Sequence, residues 1–524
     1  MSGPFGSSQW MYSSGVAGFY GHEIGGSLRF NRSTTTYLSR TFGTPSTDGE
    51  KCFTISVWVK RAGNTGNNNY ILDGHTSNEH VLAFEGDLLR LGAYAGSDQF
   101  NIKTNTRKLR DSTAWYHIVC AVDTRKAIAQ ERVIFYINGE QLPSSELQGT
   151  YPAQNFTGRL NVSGNTAQIG RWGQGTGREF EGYMAEFHFI DAQQKTADDF
   201  GEFNSGAWIP KAYSGTHGNN GFHLDMIASN FSGVTLSDSS GNSNNWTASG
   251  GIDSHDFVLD SCTNNFSVWN YWNAKGTLSQ ANLQASTSDN NAMLSTFSMP
   301  EGKWYWEVMY KSGNAHIGIG SDRISVYDEG INSTSAKCAT IYYDGRYYKN
   351  GSQQGTAASL GSDDIVAMTF DSSTRQWTVY KNNSSTSEFT LTLDDLGSAN
   401  AYAPALGSGG TPSVIGNFGQ DSTFAGSTAA GGNTDENDNG DFKYAVPSGF
   451  LALCTANLPD PAIDPANDAE PRDYFETFLY SGNGGGLQVG DVIKKPADTT
   501  TISNSLIFND DDSAYLSRTH TLGN

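Results

Sequence analysis

At 524 residues, with a formal net charge of −21, 60 glycines and 14 prolines, the chain has room for about three domains of ordinary size. The charge excludes the nucleic-acid backbone as a partner, because phosphate would be repelled. No run approaches the ~20 apolar residues of a membrane helix, so membrane insertion is not expected.

Abundant turn formers and few amphipathic stretches predict an all-β chain. Asp191 to Phe203 is the best short helical piece. Met1 to Ser8 has neither the basic start nor the apolar core of a secretory signal. The five cysteines (Cys52, Cys120, Cys262, Cys338, Cys454) are odd in number and scattered. Buried thiols and assembly in a reducing compartment are expected.

Residues 1–25 form a Gly/Ser-rich arm with five aromatics, Phe5, Trp10, Tyr12, Phe19 and Tyr20. Large apolar groups are out of place in a free tail. The arm either packs on its own domain or docks into a larger assembly. Residues 26–213 read as one β-sandwich. In Cys52 to Lys60 the alternation puts Phe53, Ile55, Val57 and Val59 on one face. Trp115 to Asp123 and Arg132 to Gly139 form a hairpin closed by Asn-Gly, predicted central and buried.

Residues 214–262 are a polar connector in which Phe222, Leu224, Trp246 and Phe257 demand packing. Residues 263–446 repeat the sandwich pattern, with a second hairpin at 364–383. Residues 447–504 read as linker. Residues 505–519 copy 27–41 without gaps, nine of fifteen positions being identical. The segment 505–524 is therefore read as the start of a second domain of the first kind, cut short or donated to a neighbouring subunit.

Phe53-Thr-Ile-Ser-Val-Trp-Val, Trp115-Tyr-His-Ile-Val, Phe135-Tyr-Ile-Asn-Gly139 and Phe180-Glu-Gly-Tyr-Met-Ala-Glu-Phe187 resemble the laminin G/concanavalin A-like lectin family. Gly302-Lys-Trp-Tyr-Trp-Glu-Val308, His316-Ile-Gly-Ile-Gly320 and Tyr342-Tyr-Asp-Gly-Arg-Tyr-Tyr348 resemble a SPRY domain. The resemblance implies tandem concanavalin A-like antiparallel β-sandwiches, jelly rolls with loops gathered at the rims. Many relatives bind glycans or proteins there, often beside calcium; no other cofactor is implied.

A sandwich glycosidase needs two carboxylates about 5–10 Å apart across a cleft. Glu179 and Glu181, with Glu186 beyond, come closest, but the central Asp of the usual motif is missing. They read as a solvated edge. Asp435 to Gly440 matches half of an EF-hand loop, yet its twelfth position is Val446. It reads as an acidic turn, as does Asp510 to Asp512. His75 and His80 read as surface histidines. No Ser/His/Asp set or phosphate loop stands out, so no catalytic or metal-ligating residue is assigned.

For ligand binding the Gly-rich loop Ile169 to Gly177 is the best local feature. Sugars stack on exposed indoles, and Arg171 beside Trp172 suits hydroxyls or acidic sugars. The alternative is that Trp172 folds down as a loop anchor. Asp73, at a strand end, is a further rim candidate; Tyr327 and Arg346 are their counterparts in the second sandwich.

The layout, with the opening Gly6-Ser-Ser-Gln-Trp-Met-Tyr12, resembles bacteriophage tail-fibre or appendage proteins. That resemblance implies a non-catalytic virion protein assembled in the host cytoplasm. It would join other virion proteins through the arm, in a homo-oligomer with a trimer as the expected count. Its sandwiches would attach to host-surface glycans or proteins. The rival readings are a structural spacer or capsid decoration protein and, last, a polysaccharide depolymerase.

Overall fold

The computed structural model describes residues 19–63, 68–74, 78–173, 175–204, 207–272, 276–287, 292–299, 301–322, 324, 330–393, 399 and 401–458. Of 273–274, 493–494 and 501–502 it gives the backbone alone. The fold is all-β. The only helical elements among the described residues are single 3₁₀ turns, and none is long or apolar enough to cross a membrane.

The expected helical piece between Asp191 and Phe203 shrinks to one 3₁₀ turn, Ala197–Asp199. Just before it, the Lys195 N–H donates to the Thr54 hydroxyl at 2.8 Å. The Gln193 carbonyl accepts that hydroxyl's proton, also at 2.8 Å. Backbone groups that would seed a helix are thus tied to the neighbouring strand.

Two antiparallel sheets face each other in the first sandwich. One runs in the order 140–141, 133–137, 115–123, 52–61, 182–191, 27–30, 257–258. The other runs 147–150, 98–104, 88–94, 79–85, 68–73, 166–169, 37–41, 246–249, 235–236, 231–232. Phe53, Ile55, Val57 and Val59 bury between the sheets, as their alternation requires. The hairpin 115–137 is buried but not central: only the short strand Glu140–Gln141 lies outside it, and the sheet centre belongs to Cys52–Arg61 and Gly182–Asp191.

The segment 214–262 supplies strands to both sheets. Phe222–Leu224 pairs with Gly182–Asp191, Trp246–Ser249 with Tyr37–Thr41, and Phe257–Val258 with Ser27–Phe30. Its apolar residues Phe222, Leu224 and Trp246 complete the core. This connector is therefore part of the first sandwich's sheets.

The second sandwich stacks the order 269–274, 292–295, 402–408, 315–321, 338–342, 346–349, 352–356 on the order 276–279, 284–287, 413–417, 303–312, 365–371, 376–381, 389–392. Its hairpin 365–381 is also buried but sits one strand in from the edge. Past 446 the chain still packs: Leu451–Ala452 pairs in parallel with Lys303–Ser312, and Leu453 and Cys454 are buried. The linker reading fails for these residues. The copy at 505–519 lies outside the described residues.

Cys52–Arg61 is buried along its whole length, on both faces. Residues 193–204 and 207–210 cover the middle of the outer face, with Thr54 donating to the Gln193 carbonyl and Trp208 to His117 beside Ser56, and the approach to the second sandwich covers the Lys60 end. Lys60 Nζ donates to Asp260 Oδ2 at 2.7 Å, Asn265 Oδ1 at 2.6 Å and the Phe266 carbonyl at 2.9 Å. Tyr183 donates its hydroxyl to the Ala281 carbonyl at 2.8 Å. A buried ammonium is tolerable only when its donors are met, and here they are.

Candidate functional site

At the end of strand Thr166–Ile169 the chain turns at Gly170, whose φ is +86°. A Cβ there would lie 2.5 Å from the Phe30 ring, so glycine is required. The loop that follows folds down. Trp172 packs on a cluster of Tyr70, Val81 and Ala83, and the Arg178 guanidinium lies 4.2 Å from its ring centre. Arg178 is itself held by Glu79 at 2.7 Å and the Tyr70 hydroxyl at 2.7 Å. The indole face is taken by an arginine, and Trp172 is the loop's anchor.

Arg171 lies beside it, its guanidinium 4.7 Å from the Tyr37 ring centre and its Nε donating to the Gly175 carbonyl at 2.9 Å. Asp73 is fully buried. Its two oxygens accept the His80 N–H at 3.3 Å and the Gly173 N–H at 2.9 Å. Asp73 straps the loop down rather than facing a ligand. The structure thus brings Asp73, Arg171 and Trp172 together, but leaves Arg171 as the group with side-chain donors near the surface.

The second sandwich has a more open site around Arg346. Strands Ala315–Ser321, Cys338–Tyr342 and Arg346–Lys349 lie side by side, with His316 opposite Tyr342 and Thr340 opposite Tyr348. Ile341 and Ala339 enter the core, so the even-numbered residues face outward. They line a cavity of about 270 Å³ with His316, Tyr342, Arg346 and Tyr348 among its walls and Asn332 and Thr334 on the far side. His316 stacks on Tyr342 with centroids 4.4 Å apart and contacts the Thr340 hydroxyl through Nδ1 at 3.1 Å. Burial lowers its pKa to about 4, so the floor is a neutral imidazole.

Gly345, at φ +92°, makes the turn that returns Arg346 over the cavity. Asp344 Oδ2 accepts from Arg346 Nε at 2.7 Å, and Oδ1 accepts the Arg346 N–H at 3.1 Å. The guanidinium lies 5.3 Å from the Tyr342 ring centre. Aromatic faces, a fixed cation and neutral donors and acceptors suit a sugar or a polar side chain of a protein. Sequence reasoning named Arg346 but missed His316, Tyr342 and Tyr348. The period-two spacing within Tyr342 to Tyr348 was the available signal. Tyr327 lies outside the described residues.

Residues 33–198 match the concanavalin A-like lectin/glucanases superfamily. That span falls within the first sandwich and includes Arg171 and Trp172. Among curated proteins no match is found. The SPRY domain of human HERC1 is 15% identical, over 26% of this chain and 87% of that one, with a TM-score of 0.22. The TRIM65 PSpry domain is 14% identical, over 29% of this chain and 92% of that one, at 0.25. A putative carbohydrate binding protein from Bacteroides ovatus is 18% identical, over 43% of this chain and 58% of that one, at 0.29.

In the concanavalin A-like sandwich the paired carboxylates are not a solvated edge. Glu179 is buried, and its oxygens accept the Gly177 N–H at 2.9 Å. Glu181 accepts backbone N–H groups of Arg32 and Ala281. Backbone donors occupy both, so neither is presented to a substrate. His80 is buried rather than on the surface, accepting the Arg159 and Leu160 N–H groups at 3.2 and 3.1 Å through Nδ1. His75 is outside the described residues.

Asp435 is also internal. It accepts the Asn437 and Asn439 N–H groups through Oδ1, and Ala452 N–H and Asn457 through Oδ2. With its oxygens so occupied, it closes a turn instead of holding calcium. Asp510 to Asp512 lie outside the described residues. Among the described residues, the metal-ligating side chains in mutual reach are Glu186, His188 and His223.

Proposed function

We propose that the chain is a non-catalytic binding protein of a bacteriophage virion, a tail fibre or related appendage, whose sandwiches attach the particle to host-surface glycans or proteins. The cavity walled by His316, Tyr342, Tyr348 and Arg346 carries the binding part of this reading. It offers stacking faces and fixed polar groups, with no nucleophile–base pair among its described lining residues. The lectin description of the matched family supports it for the first sandwich. The virion part rests on the resemblance of the arm and domain layout, and on five cysteines that are all buried and form no disulfide, which suits assembly in a reducing cytoplasm.

Glycan and peptide arrays probed with the full chain test the binding part. Binding that Tyr342→Ala abolishes, with intact glycan recovered, supports it. Released oligosaccharide would instead mean a depolymerase. Imaging of particles labelled on this protein tests the virion part.

A structural spacer is a second reading, favoured by the buried polar contacts that join the sandwiches, Arg29 with Asp421 and Lys60 with Asn265 and Phe266. Failure of the chain to bind any array ligand, with the label found along a rigid stalk, would favour it.

A further inference from the structure

Strand Gly182–Asp191 carries an irregularity that re-aims one side chain. Its register against Cys52–Arg61 slips between Ala185, opposite Trp58, and His188, opposite Ser56. Three steps on one strand match two on the other, so one residue is extra. Met184, Phe187 and Phe189 point into the sandwich core, while Tyr183, Ala185 and Ile190 lie on the outer face. Strict alternation would drive Glu186 into the core beside Met184. Glu186 instead adopts φ +48°, a left-handed conformation uncommon for a residue with a side chain. The extra residue turns its carboxylate onto the outer face with His188.

Three imidazoles meet that carboxylate. His188 and His223 are direct cross-strand partners, their rings stacked at 4.0 Å and 11°. His22 comes from the segment leading out of the N-terminal arm. Glu186 Oε2 is 3.0 Å from His223 Nε2, 3.4 Å from His188 Nε2 and 3.4 Å from His22 Nε2. One carboxylate oxygen has two lone pairs, so it cannot serve three N–H donors well. The ligand atoms of Glu186, His188 and His223 all lie within 4.8 Å of one another, a small shift from the edges of about 3.3–3.6 Å that bonds of about 2.0–2.2 Å give around a tetrahedral metal.

His188 is also oriented from behind, its Nδ1 lying 3.3 Å from His217 Nε2. A donor on the far nitrogen leaves Nε2 as a lone pair, the usual arrangement around a bound metal. Glu186 and His188 are nearly enclosed, at 7% and 3% exposure. The His22 side chain is 28% exposed and leaves a path in.

We infer that Glu186, His188 and His223 form a site for a divalent transition-metal ion of the zinc type, with His22 of the N-terminal segment bonding the Glu186 carboxylate from the open side. Two imidazoles and one carboxylate suit zinc better than calcium, which prefers oxygen ligands. Three protein ligands would leave a fourth position on the His22 side.

The untagged full-length chain, stripped with EDTA and titrated calorimetrically with zinc chloride, should take up one equivalent. Cobalt(II) in its place should show the intense visible bands of a four-coordinate site. His22→Ala, on the open side, should keep the wild-type circular dichroism and weaken zinc by at least about tenfold. His223→Ala should abolish the site, and if that variant misfolds, His22→Ala decides alone. No saturable uptake by the full chain, or uptake unaltered by His22→Ala, overturns the proposal.

Discussion

Arg29 and Asp421 lie 392 positions apart in the chain and meet at 2.7 Å in a buried site. The arginine belongs to a strand of the first sandwich, and the aspartate follows strand Ser413–Asn417 of the second. Asp256 at 3.1 Å and the His255 carbonyl at 3.1 Å take the other guanidinium nitrogen. Asp421→Ala leaves a buried cation short of one partner, a change that costs about 3–5 kcal/mol. Denaturant unfolding of the full chain should show that loss. A shift below about 1 kcal/mol would mean that the pair does not hold the sandwiches together.

Trp377 is fully buried in the second core, opposite Phe370 on the next strand and edge-on to Phe389 at 5.4 Å. Trp377→Ala should cost about 3–5 kcal/mol by removing the ring and leaving a cavity. Thermal melting checks it, and an unchanged midpoint would contradict this packing.

Single-strand alternation made the inner faces legible: Phe53, Ile55, Val57 and Val59 could be placed from their spacing alone. Their outward neighbours could not, because Lys60 is buried by Asp260, 200 positions away. No local pattern encodes that meeting. Asp73 looked like a rim ligand for the same reason, since its backbone partners come from Gly173 and His80. The bulge at Glu186 was hard to see, because Ala-Glu-Phe-His-Phe alternates apolar and polar residues and only Met184 before it falls out of step. At the second site, Tyr342 to Tyr348 did carry the signal, but the turn at Gly345 decides which residues share the outer face.

Trp172 and Tyr342 should respond differently to truncation. Trp172 is an anchor under Arg178, so Trp172→Ala should lower the stability of the first sandwich by about 1–3 kcal/mol and spare ligand binding at the second. Tyr342→Ala should leave melting nearly unchanged and weaken binding by about tenfold or more. Paired melting and array measurements on both variants decide between these roles, and reversed outcomes would move the binding surface to the first rim.

Stability should fall in mild acid. Burial holds His80 at a pKa of about 4, His117 at about 3 and His316 at about 4, against an ordinary 6.5. Each is neutral in the folded chain and takes a proton when unfolded. The stability they allow is present above pH 6.5 and is lost as pH drops below it, by about 2 kcal/mol each at pH 5. Glu307 acts in the opposite sense, since burial raises its pKa from 4.5 to about 7. It offsets roughly one histidine over that interval. Melting temperature should therefore decline from pH 7 to pH 5, and a flat profile would mean that these histidines are not held neutral.

The arm should divide near residue 19. Phe19 is buried against Ala207 and Ile209, with Tyr20 edge-on at 4.9 Å. Ile24 is buried, its N–H donating to the Thr263 hydroxyl at 3.0 Å while its carbonyl accepts from that hydroxyl at 3.1 Å. Residues 19–25 thus pack on the folded body, and the docking role proposed for the arm falls to residues 1–18, which lie outside the described residues. Deleting 2–25 exposes the surface under Phe19 and Ile24 and should cost roughly 3 kcal/mol or more, a melting shift of several degrees. Deleting 2–18 should leave melting unchanged yet stop incorporation into particles, if Phe5, Trp10 and Tyr12 are buried on assembly. Normal incorporation of the 2–18 deletion would remove the docking role from the arm.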